Sequence, residues 1–170
     1  MPYLFLPDVV TESLTDLTPE MLASMHIKLL MLDFDNTIVP YTTSVPTEAM
    51  AGWLEQMKAS DITLCVVSNS RNHRVPDFCA KYGIDCITRA KKPSRRGVLQ
   101  CLARFGVSAH EAALVGDQIY TDTLCANRSG VRAILVKAID NHNFWLKARH
   151  IAEKPFIYFA KKRSIHYEEH

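Results

Sequence analysis

Five short apolar runs punctuate the chain: Ile27–Asp33, Ile62–Ser68, Ile84–Thr88, Ala112–Gly116 and Arg132–Val136. Each has strand length. The first, second and fourth are apolar almost throughout, the pattern of strands covered on both faces. Helical stripes lie between them. Pro46 and Glu48 suit the first turn of a helix whose stripe is Met50, Trp53, Leu54 and Met57. Val75, Phe78, Cys79 and Tyr82 form a second stripe. Val98, Leu99, Leu102 and Phe105 form a third, with Ser94 ahead of it as an N-cap. A shorter helix is predicted from about Ile119 to Asn127. Gly83, Gly106 and Gly130 each follow a stripe, where a left-handed glycine ends a helix. Ser108 and Glu111 have capping-box spacing just before the fourth strand. Strand alternating with helix predicts an α/β fold, a Rossmann-like three-layer sandwich around a five-stranded parallel sheet.

The two ends read differently. Residues 1–26 suggest an arm and a short helix ending near Met25. Residues 141–170 form a basic, aromatic tail, with Phe144, Trp145, Phe156, Tyr158 and Phe159 among Lys147, Arg149, Lys154, Lys161, Lys162 and Arg163. A core of about 27–136 with these two extensions is expected to make one domain over 1–170.

Composition narrows the class. With 48% apolar and 22% charged residues, disorder and coiled coil are excluded. A net charge of +2 gives no reason to expect a nucleic-acid partner. No stretch reaches the ~18 apolar residues of a membrane span, and Met1 to Val10 lacks the basic start of a secretory signal. The five cysteines (65, 79, 86, 101 and 125) contain no CxxC pair, which points to a reducing cytosol without disulfides or zinc. The seven histidines show no metal spacing.

Polar residues gather where open α/β sheets bind ligands, beyond the carboxyl ends of strands. Strand one ends in Asp33-Phe34-Asp35-Asn36-Thr37 and strand two in Ser68-Asn69-Ser70. The basic run Arg89 to Arg96 follows strand three, and Gly116-Asp117 ends strand four with Asp122 beyond. Several carboxylates at one edge repel one another, and a divalent cation relieves that repulsion. Hard oxygen ligands select Mg²⁺. Lys92 and the hydroxyl of Ser68 add the charge and the donor that a phosphoryl group needs. The combination describes phosphoryl transfer without an organic cofactor.

These ordered motifs resemble those of the haloacid dehalogenase (HAD) superfamily: Asp33 to Thr37, Ser68, Lys92-Pro93, and Gly116-Asp117-Gln118-Ile119-Tyr120-Thr121-Asp122. More narrowly, the chain resembles the YqeG family of HAD subfamily IIIA phosphatases, relatives of phosphatidylglycerophosphate phosphatases. That narrower likeness adds Val67-Ser68-Asn69-Ser70, Ala90-Lys91-Lys92-Pro93 and the Phe5-Leu6-Pro7 opening. The resemblance implies Asp33 as nucleophile and Asp35 as general acid and base. It implies Mg²⁺ on Asp33, Asp117 and the Asp35 carbonyl, supported by Asp122. Ser68, Asn69 and Lys92 are expected to bind phosphate, and Thr37 to support the turn and orient Asp35. The expected substrate is a phosphate monoester, with phosphatidylglycerophosphate as the family-level candidate. Soluble sugar or nucleotide phosphates and phosphoproteins use the same chemistry.

Spacing leaves no room for a cap domain, because Asp35 to Pro46 is short and Ser68 to Lys92 holds one helix and one strand. An open site with a flap around Ile38–Val45 is expected. The basic tail suits peripheral contact with an anionic phospholipid surface from a cytoplasmic location. Arg89, Lys91, Arg95 and Arg96 are candidates for a second phosphate or acidic headgroup. Two other classes share some of these residues: a receiver-like regulatory module, and a phospho-ligand-binding module on a HAD scaffold. The two-residue spacing of Asp33 and Asp35 disfavours the first, and the full set of motif residues disfavours the second.

Overall fold

The computed structural model describes residues 2–140 and Tyr158; the remainder of the basic tail, with its expected membrane contact, lies outside the described residues. In chain order the strands and helices are β1 (Val9–Thr11), α1 (Pro19–Ser24), β2 (Leu29–Leu32), α2 (Glu48–Lys58), β3 (Thr63–Val67), α3 (Arg74–Tyr82), β4 (Asp85–Ile87), α4 (Arg96–Phe105), β5 (Ala112–Gly116), α5 (Leu124–Ser129) and β6 (Arg132–Val136). All pairings are parallel, in the order β1-β6-β5-β2-β3-β4.

Among the described residues the sheet therefore has six strands and not the expected five. The additional strand is β1, from the N-terminal arm. Three residues are too few to show a period of two, so its pairing comes from outside the segment. Just ahead of β1, Asp8 exchanges two hydrogen bonds of 2.8 Å with the Ala133 backbone, one of them through its carboxylate. Asn127 on α5 donates its side-chain amide to the carbonyls of Leu4 and Leu6 at 2.8 and 2.9 Å.

Burial on both faces explains the continuous apolar runs. Along β2, Leu30 and Leu32 enter a core with α2 and α3, while Leu29 and Met31 enter another with α4 and α5. The first core is anchored by Trp53, whose indole N–H donates to the Leu17 carbonyl at 2.7 Å. Helix α2 begins two residues later than Pro46 suggests. Thr47 is its cap and accepts the Met50 N–H at 3.2 Å.

Helix α4 departs further from expectation. It starts at Arg96, after an Arg95 without a capping side chain, and Ser94 only reaches the Arg96 N–H at 3.4 Å. Its buried face is Val98, Cys101 and Leu102, whereas Leu99 is 42% exposed. A step of 100° per residue turns Leu99 off the face that Cys101 shares. Ser108 makes no backbone capping bond, and its hydroxyl donates to the Glu111 carboxylate instead. Gly83 and Gly106 end their helices at φ near +64° and +63°. All five thiols are free. No helix among the described residues is long and apolar enough to cross a membrane.

The order reverses at β2: the chain first builds outward through β3 and β4, then returns to β5 and β6 on the other side. The crevice over β2, β3 and β5 is thus the switch point at which such sheets bind ligands.

Candidate active site

Asp33 follows β2, and its N–H continues the ladder to the Val115 carbonyl at 2.8 Å. The chain then turns sharply. Asn36 sits at φ +61°, its N–H donates to the Val39 carbonyl at 2.7 Å, and the Ile38 N–H donates back to Phe34 at 3.0 Å. Asn36 also ties this turn to the chain beyond β6, through Asp140 at 2.7 Å and Ile139 at 3.0 Å. Asn36 and the backbone hold the turn, since the buried Thr37 hydroxyl has no hydrogen-bond partner.

Ser68 follows β3 and is buried; its hydroxyl accepts the Ser70 N–H at 3.1 Å. Asn69 clasps the Lys92 peptide from both sides: its amide N–H₂ donates to the Lys92 carbonyl at 2.9 Å, and its oxygen accepts the Lys92 N–H at 2.7 Å. Lys92 is joined to Pro93 by a cis peptide. Its ammonium donates to Asp33 and Asp122, both at 2.6 Å.

Asp122 lies on a π-helical turn, Ile119–Thr123, where a continuous α-helix is expected; such turns favour functional sites. The turn brings the Asp122 carboxylate against Gly116. A Cβ at residue 116 would lie 2.3 Å from Asp122 Cγ, so only glycine permits the approach. The Gln118 N–H donates to the second Asp122 oxygen at 3.2 Å.

Asp33, Asp117 and Asp122 each offer a carboxylate oxygen within 4.8 Å of the others, a set that could hold a metal ion. One Asp117 oxygen is buried without a partner. Burial, Asp122 and Asp33 raise the Asp117 carboxyl well above the usual range. Burial also lifts Asp122 to about 6, against the pull of Lys92 and with a further push from Asp33. Burial alone would lower Lys92, yet Asp122 and Asp33 outweigh it and hold the ammonium firmly charged. Three carboxylates share one lysine, and a dication would balance them.

Asp35 turns away from this cluster onto Arg74, the first residue of α3, whose Nη1 donates to it at 2.9 Å. The same guanidinium donates to Ser44 Oγ at 3.0 Å and the Pro40 carbonyl at 3.2 Å, and also to the Thr43 carbonyl. It lies over the Phe34 ring, 5.4 Å from the centroid. Arg74 thus ties the expected flap to Asp35. Sequence reasoning missed it, although its place one turn beyond the Ser68 loop puts it at the carboxyl edge of the sheet. Burial raises Asp35, Arg74 opposes that rise, and Asp33 adds to it.

These groups surround a cavity of only about 90 Å³, lined by Asp33, Asp35, Ser68, Asn69, Lys92 and Asp122, with Tyr41 of the flap at its rim. A larger cleft of about 880 Å³ lies around Lys28, Ser60 and His110 at the opposite edge, away from the acidic cluster. Size does not locate the chemistry here. The convergent charged groups do.

Residues 1–139 match the family described as mitochondrial PGP phosphatase. The chain is 29% identical over 167 residues to a Bacillus subtilis (strain 168) protein named "Probable phosphatase YqeG", covering 97% of each. An uncharacterized protein from Listeria monocytogenes serotype 4b shares the fold at a TM-score of 0.56 and 18% identity, over 69% of this chain and 84% of that one. The cobalt-bound deoxy-D-mannose-octulosonate 8-phosphate phosphatase from Haemophilus influenzae does so at 0.53 and 14%, over 74% and 75%.

Proposed function

Because this chain belongs to the PGP phosphatase family and is a HAD-type hydrolase of phosphoric monoesters, we propose that it works in two steps through Asp33. An Asp33 oxygen attacks phosphorus, and an aspartyl-phosphate forms as the bond to the leaving oxygen breaks. Asp35, raised by burial, gives that oxygen its proton. The resulting Asp35 carboxylate takes a proton from water, which attacks phosphorus, frees Asp33 and releases inorganic phosphate. The Ser68 hydroxyl and the Lys92 ammonium hold phosphoryl oxygens. Asn69 keeps the Lys92 peptide in register. Thr37 belongs to the turn that carries Asp35.

What carries this reading is convergence: Lys92 lies 2.6 Å from both Asp33 and Asp122, within a cluster of three buried carboxylates. The donors fit a divalent cation, since all are hard oxygens and one Asp117 oxygen is buried with no partner. Mg²⁺ is the proposed ion, held by Asp33, Asp117 and the Asp35 carbonyl with Asp122 alongside. When bound it would supply positive charge against the phosphoryl oxygens.

Phosphatidylglycerophosphate is the proposed substrate, favoured by the family description and by a site over which the described residues place no cap domain. A screen of phosphate release tests the whole reading. It spans phosphatidylglycerophosphate micelles, p-nitrophenyl phosphate, sugar phosphates, nucleotides and a phosphopeptide. Release is expected with Mg²⁺, to be lost in EDTA and restored by fresh Mg²⁺. In the same assay Asp35→Asn should lose ~10²–10⁴ in turnover. Given p-nitrophenyl phosphate, whose leaving group needs little protonation, it should accumulate phospho-enzyme visible by acid-quench mass spectrometry. A burst-free Asp35→Asn with no mass shift would sink the covalent route.

Arg74 gives a separate expectation. Removing its charge lets Asp35 keep its proton to higher pH, because Arg74 opposes the rise that burial causes. The alkaline limb of kcat/KM in Arg74→Ala should therefore move upward, with a loss of ~10-fold at neutral pH as flap and acid lose their common anchor. An unmoved limb would mean that Arg74 holds only the flap.

A further inference from the structure

We propose that a second anion subsite, lined by Arg71, Arg89 and Lys91, adjoins the acidic pocket and receives a second phosphate carried by the substrate. The proposal rests on the phosphatase reading above and extends it to substrate choice. The acidic cavity of about 90 Å³ takes only a small group, far below the ~300–1,000 Å³ of organic ligand sites. Whatever the phosphoryl group is attached to must therefore sit outside it.

The adjoining space is a cleft of about 540 Å³ lined by Asn69, Arg71, Arg89 and Lys91. Asn69 lines both cavities, so the two adjoin at this residue. Arg71, Arg89 and Lys91 are exposed, and among the described residues none has a carboxylate partner. Charges on an ordinary solvated face are mixed in sign. Here three cations face one cleft that no acid among the described residues lines, next to a pocket whose charge is opposite.

The backbone holds this arrangement under strain. Arg89 and Lys91 stand at φ +52° and +59°, a region that side chains other than Asn and Asp rarely occupy. Such outliers persist where surrounding structure over-determines them, and they cluster at functional sites. Ala90 between them is buried against Gly97, where an added Cβ would lie 2.6 Å from Ala90 Cβ. The Ala90 and Arg89 N–H groups donate to the Ser68 and Ser70 carbonyls at 3.0 and 3.2 Å. Arg89 and Lys91 are therefore carried on the loop that also brings Lys92 to the phosphoryl pocket, and Arg71 follows the Ser68–Ser70 loop on the other side. Arginine forks suit phosphate, and three cations suit a phosphodiester or a second monoester.

The source of the second phosphate is either a lipid headgroup or a soluble bisphosphate, and the test separates them. The triple variant Arg71→Gln, Arg89→Asn, Lys91→Asn removes the charges, with asparagine chosen because it tolerates positive φ. Wild type and variant are compared on p-nitrophenyl phosphate, on phosphatidylglycerophosphate micelles and on its deacylated, water-soluble headgroup. The ratio of kcat/KM for the headgroup over p-nitrophenyl phosphate should fall by at least ~10-fold in the variant. The micellar ratio should fall with it. If only the micellar ratio falls, the bases touch the lipid surface and not the second phosphate, and the subsite is wrong. An equal loss on all three substrates, or on none, also overturns it. Glycerophosphoglycerol has the diester and no cleavable phosphate. Its binding, followed by NMR titration, is expected for wild type and not for the variant. That arm decides the subsite even if wild type hydrolyses nothing, a result that would instead count against the phosphatase reading.

Discussion

Asp33→Asn should leave a folded protein with at least ~10⁴-fold less phosphatase turnover. Phosphate-monoester hydrolysis is so slow in water that enzymes accelerate it by up to ~10²¹, of which general acid–base help supplies only ~10²–10⁴. Most of the acceleration must come from covalent and electrostatic stabilisation, and the proposed covalent bond is made by this one oxygen. Folding should survive, because Asn keeps the shape and removes one of three crowded buried charges. Asp33 raises both Asp117 and Asp122. Its neutralisation therefore relaxes both toward ordinary carboxylates, and Lys92 keeps Asp122 as a partner at 2.6 Å. The check pairs phosphate release with a thermal melt. A variant that melts like wild type and releases no phosphate fits the nucleophile role. One that turns over at wild-type rates removes it.

Lys92→Met should damage stability and rate together. Lys92 is the shared partner of Asp33 and Asp122, and its side chain is only 2% exposed. Breaking a buried ion pair by deleting one partner typically costs ~3–5 kcal/mol, because the other charge stays buried without compensation. For a domain of this size that lowers Tm by roughly 10 °C. Turnover should fall by ~10²–10³, the loss seen when one preorganised phosphoryl or oxyanion donor is removed.

The stability loss should also depend on pH, and its sign follows from Asp122 and Asp117. Both keep their protons to higher pH in the folded state than in the unfolded chain. Between the ordinary carboxylate range near 4 and the Asp122 value of about 6, the folded state binds more protons. Stability therefore falls as pH rises through that window, and more steeply without Lys92. Melts at pH 5 and pH 7, with and without Mg²⁺, test this. The variant should gain at pH 5 and should gain from added Mg²⁺, the proposed ligand of the folded cluster alone. A variant insensitive to both would mean the three carboxylates are not electrostatically coupled.

Much of this was legible in the sequence because it is local. Strands β2 to β6 are short apolar runs, and the buried parallel ones among them need nothing more specific. Asp33, Ser68, Lys92 and Asp117 each follow a strand or sit close beyond one, so the sheet alone brings them together. What was not legible depends on long-range pairing. Strand β1 exists because β6 offers an open ladder, a fact absent from residues 9–11 themselves. Arg74 looks like any arginine that starts a helix until the flap carbonyls fold onto it. Asn69 reads as a phosphate ligand from its motif position, and nothing local shows that its amide also grips the Lys92 peptide 23 residues away. The α4 boundary and the exposure of Leu99 turn on a single residue of helix phase, below what a stripe of four apolar positions can resolve.

The short strand from the arm has a bearing on solubility. A sheet ends in two rows of unpaired N–H and C=O groups, and such rows template pairing between molecules. Here both outermost strands, β1 and β4, are only three residues long, and β1 covers β6 along Val9 to Thr11. Peeling the arm away would bare β6, whose Ala133, Ile134, Leu135 and Val136 are buried in the folded chain. Residues 9–11 thus act as a guard against strand-to-strand self-association.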